Sequence, residues 1–288
     1  QGFSFSQMYN NAKCYPSRAS LLTGLYPHQA GIGYMTDDLG TPSYRGYLNQ
    51  TSVTVAEVLK DSGYNTYMSG KWHVGGGYGL RNPDAWTAGD ESHPTPTQRG
   101  FDKFFGTLTG SGNYYDPATL MRGDTFIEVE TDDFHYTDAI SDEAVRMVDE
   151  GSGSDNPFFL YIAYTAPHWP LHALEEDITK YQGRYMGGWD EVRTARHEEL
   201  NSRGILDKTW PISPRDEDAH SWEDEREKEW EDLRMAVYAA QIEQMDRGIG
   251  RVLDALTSNA VEDDTIVMCN LKYAAQLIKE KVLKEAKS

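Results

Sequence analysis

The alternation of apolar and polar positions divides this chain into strand-period and helix-period segments that follow one another in turn. Phe3, Phe5, Gln7 and Tyr9 against Ser4, Ser6, Met8 and Asn10 run at roughly period two, the mark of a strand. A chain opening inside an element reads as an internal fragment. Leu21 and Leu22 then predict the buried face of a short helix that starts near Cys14, with Pro16 in its first turn and Gly24 just past its end. Thr54 with Glu57 reads as a capping box for a helix carrying Val55, Val58 and Leu59, which Gly63 ends.

Tyr64–Ser69 reads as a strand that delivers Gly70-Lys71-Trp72-His73. Apolar residues at 140, 144, 145 and 148 give the stretch Asp138–Glu150 a helical period. A turn-rich Gly151-Ser152-Gly153-Ser154 follows, then the apolar run Phe158–Ala163, a buried strand delivering Ala166-Pro167-His168-Trp169-Pro170. Residues 175 to 230 are polar and read as a surface insertion with short helices. Positions 233, 237, 240, 249, 252, 253 and 256 mark a long amphipathic helix, and Asp264–Met268 reads as a further buried strand. This β-α-β alternation implies an α/β fold with a mostly parallel mixed sheet sandwiched by helices. In open sheets of that kind ligands bind beyond the carboxyl ends of the strands, where His73 and His168 fall.

Composition narrows the function. A chain of 288 residues is long enough for one large α/β domain or two modest ones. Its net charge of −19 argues against nucleic acid as a partner, because phosphate backbones call for a basic surface. An anionic substrate would need a local positive pocket, screened from the distant charges over about 10 Å. The longest apolar runs are far too short to span a bilayer. Cys14 and Cys269, the two cysteines, make no disulfide framework and leave the compartment open. The last 18 residues, 271–288, hold five Lys and two Glu with Leu271, Ala275, Ile278 and Val282 at helical spacing. They read as a basic amphipathic tail of separate origin, with a membrane surface or a partner groove as its other reading.

The chemistry concentrates in Cys14-Tyr15-Pro16-Ser17-Arg18, continued by Ala19-Ser20-Leu21-Leu22-Thr23-Gly24. A helix N-terminus attracts anions, and Arg18, one turn further on, adds a cation with fork geometry. By itself the arrangement is open between a buried structural thiol and an anion site.

The full run resembles the signature of the formylglycine-dependent sulfatases of the alkaline phosphatase superfamily. Tyr15 departs from it, since a small residue is commoner there. Gly70-Lys71-Trp72-His73 and Ala166-Pro167-His168-Trp169-Pro170 are similar to the family's second and third landmarks. Leu25–Gly31, Gly100-Phe101-Asp102 and Gln244–Gly250 extend the likeness from Phe3 to about Met268.

The resemblance implies an alkaline phosphatase-like fold, incomplete at both ends, with residues 1–270 as a partial catalytic domain. It implies that a formylglycine-generating enzyme oxidises Cys14 to formylglycine (3-oxoalanine), whose hydrate is the nucleophile and a metal contact. Arg18 would hold the nucleophile and the developing charge, Lys71 would reach the sulfate, and His73 would take a proton from the diol. His168 would face the leaving-group oxygen. Thr109–Gly112 and Asn113 are candidates to line the pocket, and His172 carries no role. The implied reaction is hydrolysis of a sulfate ester, either a small aryl sulfate or a sulfated glycan.

The family's Ca2+ cage of carboxylates and an amide is implied only in part, because its first acidic pair would precede Gln1. Its second, an Asp-Asn pair, would follow a strand such as Ile266-Val267-Met268, where Cys269-Asn270 stands instead. Two alternatives stay open: a phosphonate monoester or phosphodiester hydrolase of the same superfamily, and a non-catalytic remnant without a metal site.

Overall fold

A computed structural model describes residues 5, 8–79, 86–207 and 209–269. Helix α1 spans Cys14–Thr23, and Gly24 closes it in the left-handed region at φ 69°, donating to the Ser20 carbonyl at 2.8 Å. Leu22 is buried as expected. Leu21 is exposed, because the two neighbours point about 100° apart around a helix and one of them must face outward.

Helix α2, Val55–Asp61, carries both halves of the expected capping box. The Thr54 Oγ1 accepts from the Glu57 amide at 3.1 Å, and the Thr54 amide donates to the Glu57 carboxylate at 2.6 Å. Ala56 is the buried contact of this helix, while Val58 is exposed. The Thr54 hydroxyl also donates to the Arg99 carbonyl at 2.8 Å. Thr54→Ala is therefore expected to lower stability by about 1–2 kcal/mol, read as a shifted midpoint in urea with an unchanged slope.

The sheet is built from β1 (Asn65–Gly70), β2 (Lys103–Thr107), β3 (Leu120–Arg122), β4 (Thr125–Phe126) and β5 (Phe158–Ala163). Its order among the described residues is β4-β3-β2-β1-β5, with β1 parallel to both β2 and β5 and the β3 and β4 pairings antiparallel. The expected mixed, mostly parallel sheet is present. In the register Gly70 pairs with Ala163, so β1 and β5 end level with each other.

Helices cover both faces. On one face α1 and α2 contribute Tyr15, Ala19, Leu22 and Ala56 to a core with Met68, Trp72, Phe101 and Phe104. Helix α3, Tyr136–Ser152, lies on the other, where the Ser69 hydroxyl donates to the Ile140 carbonyl at 2.8 Å. The period-two rule divides β5: Phe158, Leu160 and Ile162 pack with Ala144 and Val148 of α3, whereas Phe159 and Tyr161 meet the α1 side.

The chain divides into two compact units, one built on Asn10–Pro170 and the residues from Gln244, the other on Leu171–Glu243. The second contains α4 (Glu175–Thr179) and α5 (Gly188–Ser202), the latter longer than the short helices expected from its polar sequence. Ile178 there packs with Ala236 and Ala240 of α6 (Lys228–Ser258), and buried Asp232 accepts from the amides of Gly183 and Tyr185, each at 2.7 Å. In the first unit Val252, Ala255 and Leu256 of α6 pack with α3. Leu253 is partly exposed.

One expected strand does not form. Residues 264–268 carry no strand, and Ile266, Val267 and Met268 are exposed, Ile266 at 86%. A short apolar run satisfies the composition of a buried strand, but a strand also needs a neighbour to take its backbone bonds. None pairs with 264–268 among the described residues. No strand involves residues 8–10 either; residues 1–4, 6 and 7, Asn270 and the basic tail 271–288 lie outside the described residues.

Candidate active site

Cys14 is the first residue of α1 and is buried, 9% exposed, at the helix end whose amide groups lack intrahelical partners. Arg18 stands one turn along the same helix. Its Nη1 donates to the Lys71 carbonyl at 2.7 Å and to the Tyr161 hydroxyl at 3.1 Å. That single nitrogen ties the helix headed by Cys14 to the end of β1 and to the α1-side face of β5.

Lys71 and His73 follow β1 directly. The Lys71 amide donates to the Ala163 carbonyl at 2.8 Å, the Trp72 amide to Thr107 at 2.9 Å, and the His73 amide to Leu108 at 3.2 Å. The segment 70–73 thus bridges the ends of β5 and β2. Gly70 makes the bridge possible: its φ is 115°, and a Cβ there would fall 2.3 Å from the Ala163 carbonyl oxygen. Lys71, at the carboxyl end of the sheet, is almost wholly buried, 2% exposed.

Trp72, fully buried between them, donates from Nε1 to the Pro94 carbonyl at 2.8 Å. Pro94 follows a turn held by Asp90, whose carboxylate accepts from the Thr87 and Ser92 amides and from His93 Nδ1, at 3.1, 2.8 and 2.9 Å. Partial burial works against the Asp90 charge, but the bonds from His93, Ser92 and Thr87 outweigh it and hold the carboxyl at about 2. A carboxyl held below its unfolded value stabilises the fold above that value and loses the contribution as pH falls toward 2. Stability is expected to drop between about pH 4 and pH 2 in a step that Asp90→Asn removes, read as urea midpoints across that range.

His168 lies five positions beyond Ala163, in the loop that leaves β5 at the same end of the sheet. Its amide donates to the Thr165 carbonyl at 3.0 Å, and its Nδ1 sits 2.7 Å from the Trp169 carbonyl. A carbonyl accepts only from a protonated Nδ1, which leaves Nε2 as the acceptor in the neutral ring. Buried Tyr114 donates to the His168 carbonyl at 3.0 Å and holds the loop from below.

The structure therefore joins the helix headed by Cys14 to the segment bearing Lys71 and His73, through Arg18 on the Lys71 carbonyl and Tyr15 against the His73 ring. It places His168 at the end of the adjoining strand. Asn113 keeps its side chain on the Tyr115 amide at 2.9 Å, while Gly110 lies against the His73 ring. His172, in the other unit, has its imidazole pushed down by burial.

Sequence reasoning missed three supporting side chains: Tyr15, Tyr114 and Tyr161. The signal for Tyr161 was a hydroxyl inside an otherwise apolar strand. For Tyr15 it was a bulky residue within a run of small ones.

A family model described as Sulfatase matches residues 1–269. The chain belongs to the sulfatase family. An uncharacterised sulfatase of Schizosaccharomyces pombe is 32% identical over 294 residues, covering 93% of this chain and 50% of the relative. The arylsulfatase of Klebsiella aerogenes is 31% identical over 291 residues, covering 93% and 58%. This sulfatase-family chain thus spans about half the length of the curated relatives it matches.

Among solved structures, Ps i-CgsB shares 26% identity and superposes with a TM-score of 0.56, covering 86% of this chain and 45% of that one. The Bacteroides fragilis protein yidJ has the same fold at 20% identity, TM-score 0.61, covering 88% and 50%. The α/β architecture derived from the alternation of elements is that of sulfatase structures.

Among the described residues no three His, Cys, Asp or Glu side chains gather closely enough to hold a metal ion. The Ca2+ implied by the resemblance has no donor set among them. No helix of the described residues is long and apolar enough to cross a membrane.

Proposed function

We propose that this sulfatase-family protein hydrolyses sulfate esters, taking water and R–O–SO3− to the alcohol and inorganic sulfate, with Cys14 as the precursor of its nucleophile. The observation that carries this reading is the bond from Arg18 to the Lys71 carbonyl, 2.7 Å, which fixes the cysteine-bearing helix against the strand end that carries Lys71 and His73.

Oxidation of Cys14 to formylglycine suits its place, because a thiol that took the sulfuryl group would have no easy exit. The hydrated aldehyde supplies one hydroxyl to attack sulfur and a second to expel sulfate afterwards. Around that position the chain's own groups have separate tasks. The amide end of α1 carries partial positive charge, and Arg18 and Lys71 add two cations. Together they neutralise the sulfuryl oxygens, which gain charge as the ester bond breaks. His73 takes a proton on the nucleophile side. His168, as the imidazolium, gives its Nε2 proton to the departing alkoxide, while its Nδ1–H stays on the Trp169 carbonyl and fixes the ring for that transfer.

The substrate class we propose is a carbohydrate or aryl sulfate. The carbohydrate reading is supported by the likeness to Ps i-CgsB, solved with k-i-k-neocarrahexaose bound. The aryl reading is supported by the Klebsiella arylsulfatase.

The test is expression beside a formylglycine-generating enzyme, followed by mass spectrometry of the Lys13–Arg18 peptide and rates on an aryl sulfate and its phosphate counterpart. An aldehyde at position 14 with faster sulfate hydrolysis is expected. An unmodified thiol under those conditions overturns the reading. Faster phosphate hydrolysis would move the assignment to a phosphoester or phosphonate hydrolase.

A further inference from the structure

The position after Cys14 is where this chain departs from the family's signature, and the structure gives the departure a place at the site. Tyr15 is fully buried, 0% exposed. Its hydroxyl accepts from the Gly76 amide at 2.6 Å and donates to the Gly46 carbonyl at 2.6 Å, so both lone-pair and proton sides are engaged. Burial pushes the phenol well above its ordinary value, so it stays a neutral donor. Those two bonds fix the ring between separate loops, one around residue 46 and one following Val74.

The fixed ring meets His73 edge-on, with centroids 4.6 Å apart and planes at 70°. His73 has φ 50°, a left-handed backbone that residues with side chains rarely adopt and that persists only where the surroundings impose it. A second wall stands close by. A Cβ built on Gly110 would fall 2.2 Å from both Cε1 and Nε2 of the His73 ring, so only a residue without a side chain fits there. The imidazole is therefore bounded by the Tyr15 ring and the Gly110 backbone, while its main chain is pinned to Leu108.

We propose that Tyr15 is a positioning residue for His73, holding the imidazole in one orientation beside the helix that Cys14 heads. The inference rests on the reading of His73 as the proton acceptor at that site. A base is effective only when its ring nitrogen is held within about 10–20° of the productive direction, and a buried ring without a packed neighbour can turn about its side-chain bonds. Tyr15 supplies that neighbour and is itself held by two backbone groups. A small residue at position 15 would supply neither the ring contact nor the two loop bonds.

Nuclear magnetic resonance on the chain tests the geometry without reference to activity. In the unaltered protein, nuclear Overhauser effects are expected between the Tyr15 ring protons and the His73 ring protons; their absence overturns the proposal. In Tyr15→Leu, which keeps apolar volume but has no ring, the His73 Cε1–H resonance should move from its ring-shifted position and broaden. In Tyr15→Phe, which keeps the ring contact but not the two loop bonds, it should move less than in Tyr15→Leu. If Tyr15→Leu fails to fold, the Overhauser effects between the Tyr15 and His73 rings in the unaltered protein carry the test.

In matured enzyme, Tyr15→Leu should lower kcat by about 10²-fold with KM little changed, and Tyr15→Phe should recover most of the loss. An unmoved His73 resonance in folded Tyr15→Leu sinks the idea. If the resonance depends on Tyr15 while no sulfate ester is hydrolysed, the positioning stands and the functional reading falls.

Discussion

Replacing Cys14 with alanine, in protein matured beside a formylglycine-generating enzyme, is expected to remove sulfate-ester hydrolysis, a fall of about 10⁵–10⁶-fold in kcat. The size follows from what is left. Arg18, Lys71 and the amide end of α1 would still bind an anion, so substrate affinity should change little. Binding the ground state does not cleave the ester, however, and alanine cannot be converted to the hydrate that would attack sulfur.

The fold should hardly notice. The side chain is small, and its truncation should cost about 1 kcal/mol. A large kinetic loss beside a small stability change identifies a chemical role. Arg18→Ala offers the contrast, since it removes one cation and two hydrogen bonds and should lower kcat by about 10²–10³-fold. Lysine at position 18 should restore little, because a single ammonium cannot reproduce the guanidinium's forked geometry. Retention of hydrolysis by Cys14→Ala above a hundredth of the normal rate would remove the nucleophile assignment.

Trp72→Ala is expected to produce the largest loss of stability, about 3–5 kcal/mol. A domain has only about 5–15 kcal/mol in total, so this one change would leave much of the chain unfolded near 37 °C. Trp72 is fully buried and meets Phe101 edge-on with centroids 6.2 Å apart, in the core that holds Tyr15, Leu22 and Met68. Truncation empties the space of an indole between two strand ends and leaves the Pro94 carbonyl without its donor.

Trp72→Phe separates the two effects. It keeps most of the volume and should cost about 1–3 kcal/mol, chiefly for the unpaired carbonyl. Because Trp72 lies between Lys71 and His73, both variants should also lower activity beyond the loss of folded protein. Guanidinium denaturation midpoints read the first effect, and rates normalised to folded fraction read the second. A loss below about 1 kcal/mol in Trp72→Ala would mean that segment 70–73 is anchored by its backbone bonds alone.

Much of the local fold was readable before the tertiary structure was known. The bounds of α1 follow from local chemistry: Pro16 tolerated in the first turn, and Gly24 taking the left-handed cap. The β5 run Phe158–Ala163 and the long helix α6 follow from length and period. Failures came where burial depended on a partner. Leu21, Val58 and Leu253 had the pattern of core-facing helix positions but are at least partly exposed, and Ile266–Met268 satisfied a strand's composition without a neighbour to pair with among the described residues. The supporting tyrosines were missed because their hydroxyls answer to backbone groups far away in sequence.

The sequence by itself named Cys14, Arg18, Lys71, His73 and His168 as candidates and set the bounds of the elements around them, because capping, periodicity and the run around Cys14 are local properties. It also determined that strands alternate with helices, and hence the α/β class. The tertiary structure decided which ends meet. A period-two strand specifies its two faces but not its neighbours, and only the pairing of β1 between β2 and β5 brings the 70–73 segment level with the loop that bears His168. Only packing could set Arg18 on the Lys71 carbonyl and Tyr15 against His73, because hydrogen bonds and ring contacts across 53 and 58 positions have no local signature.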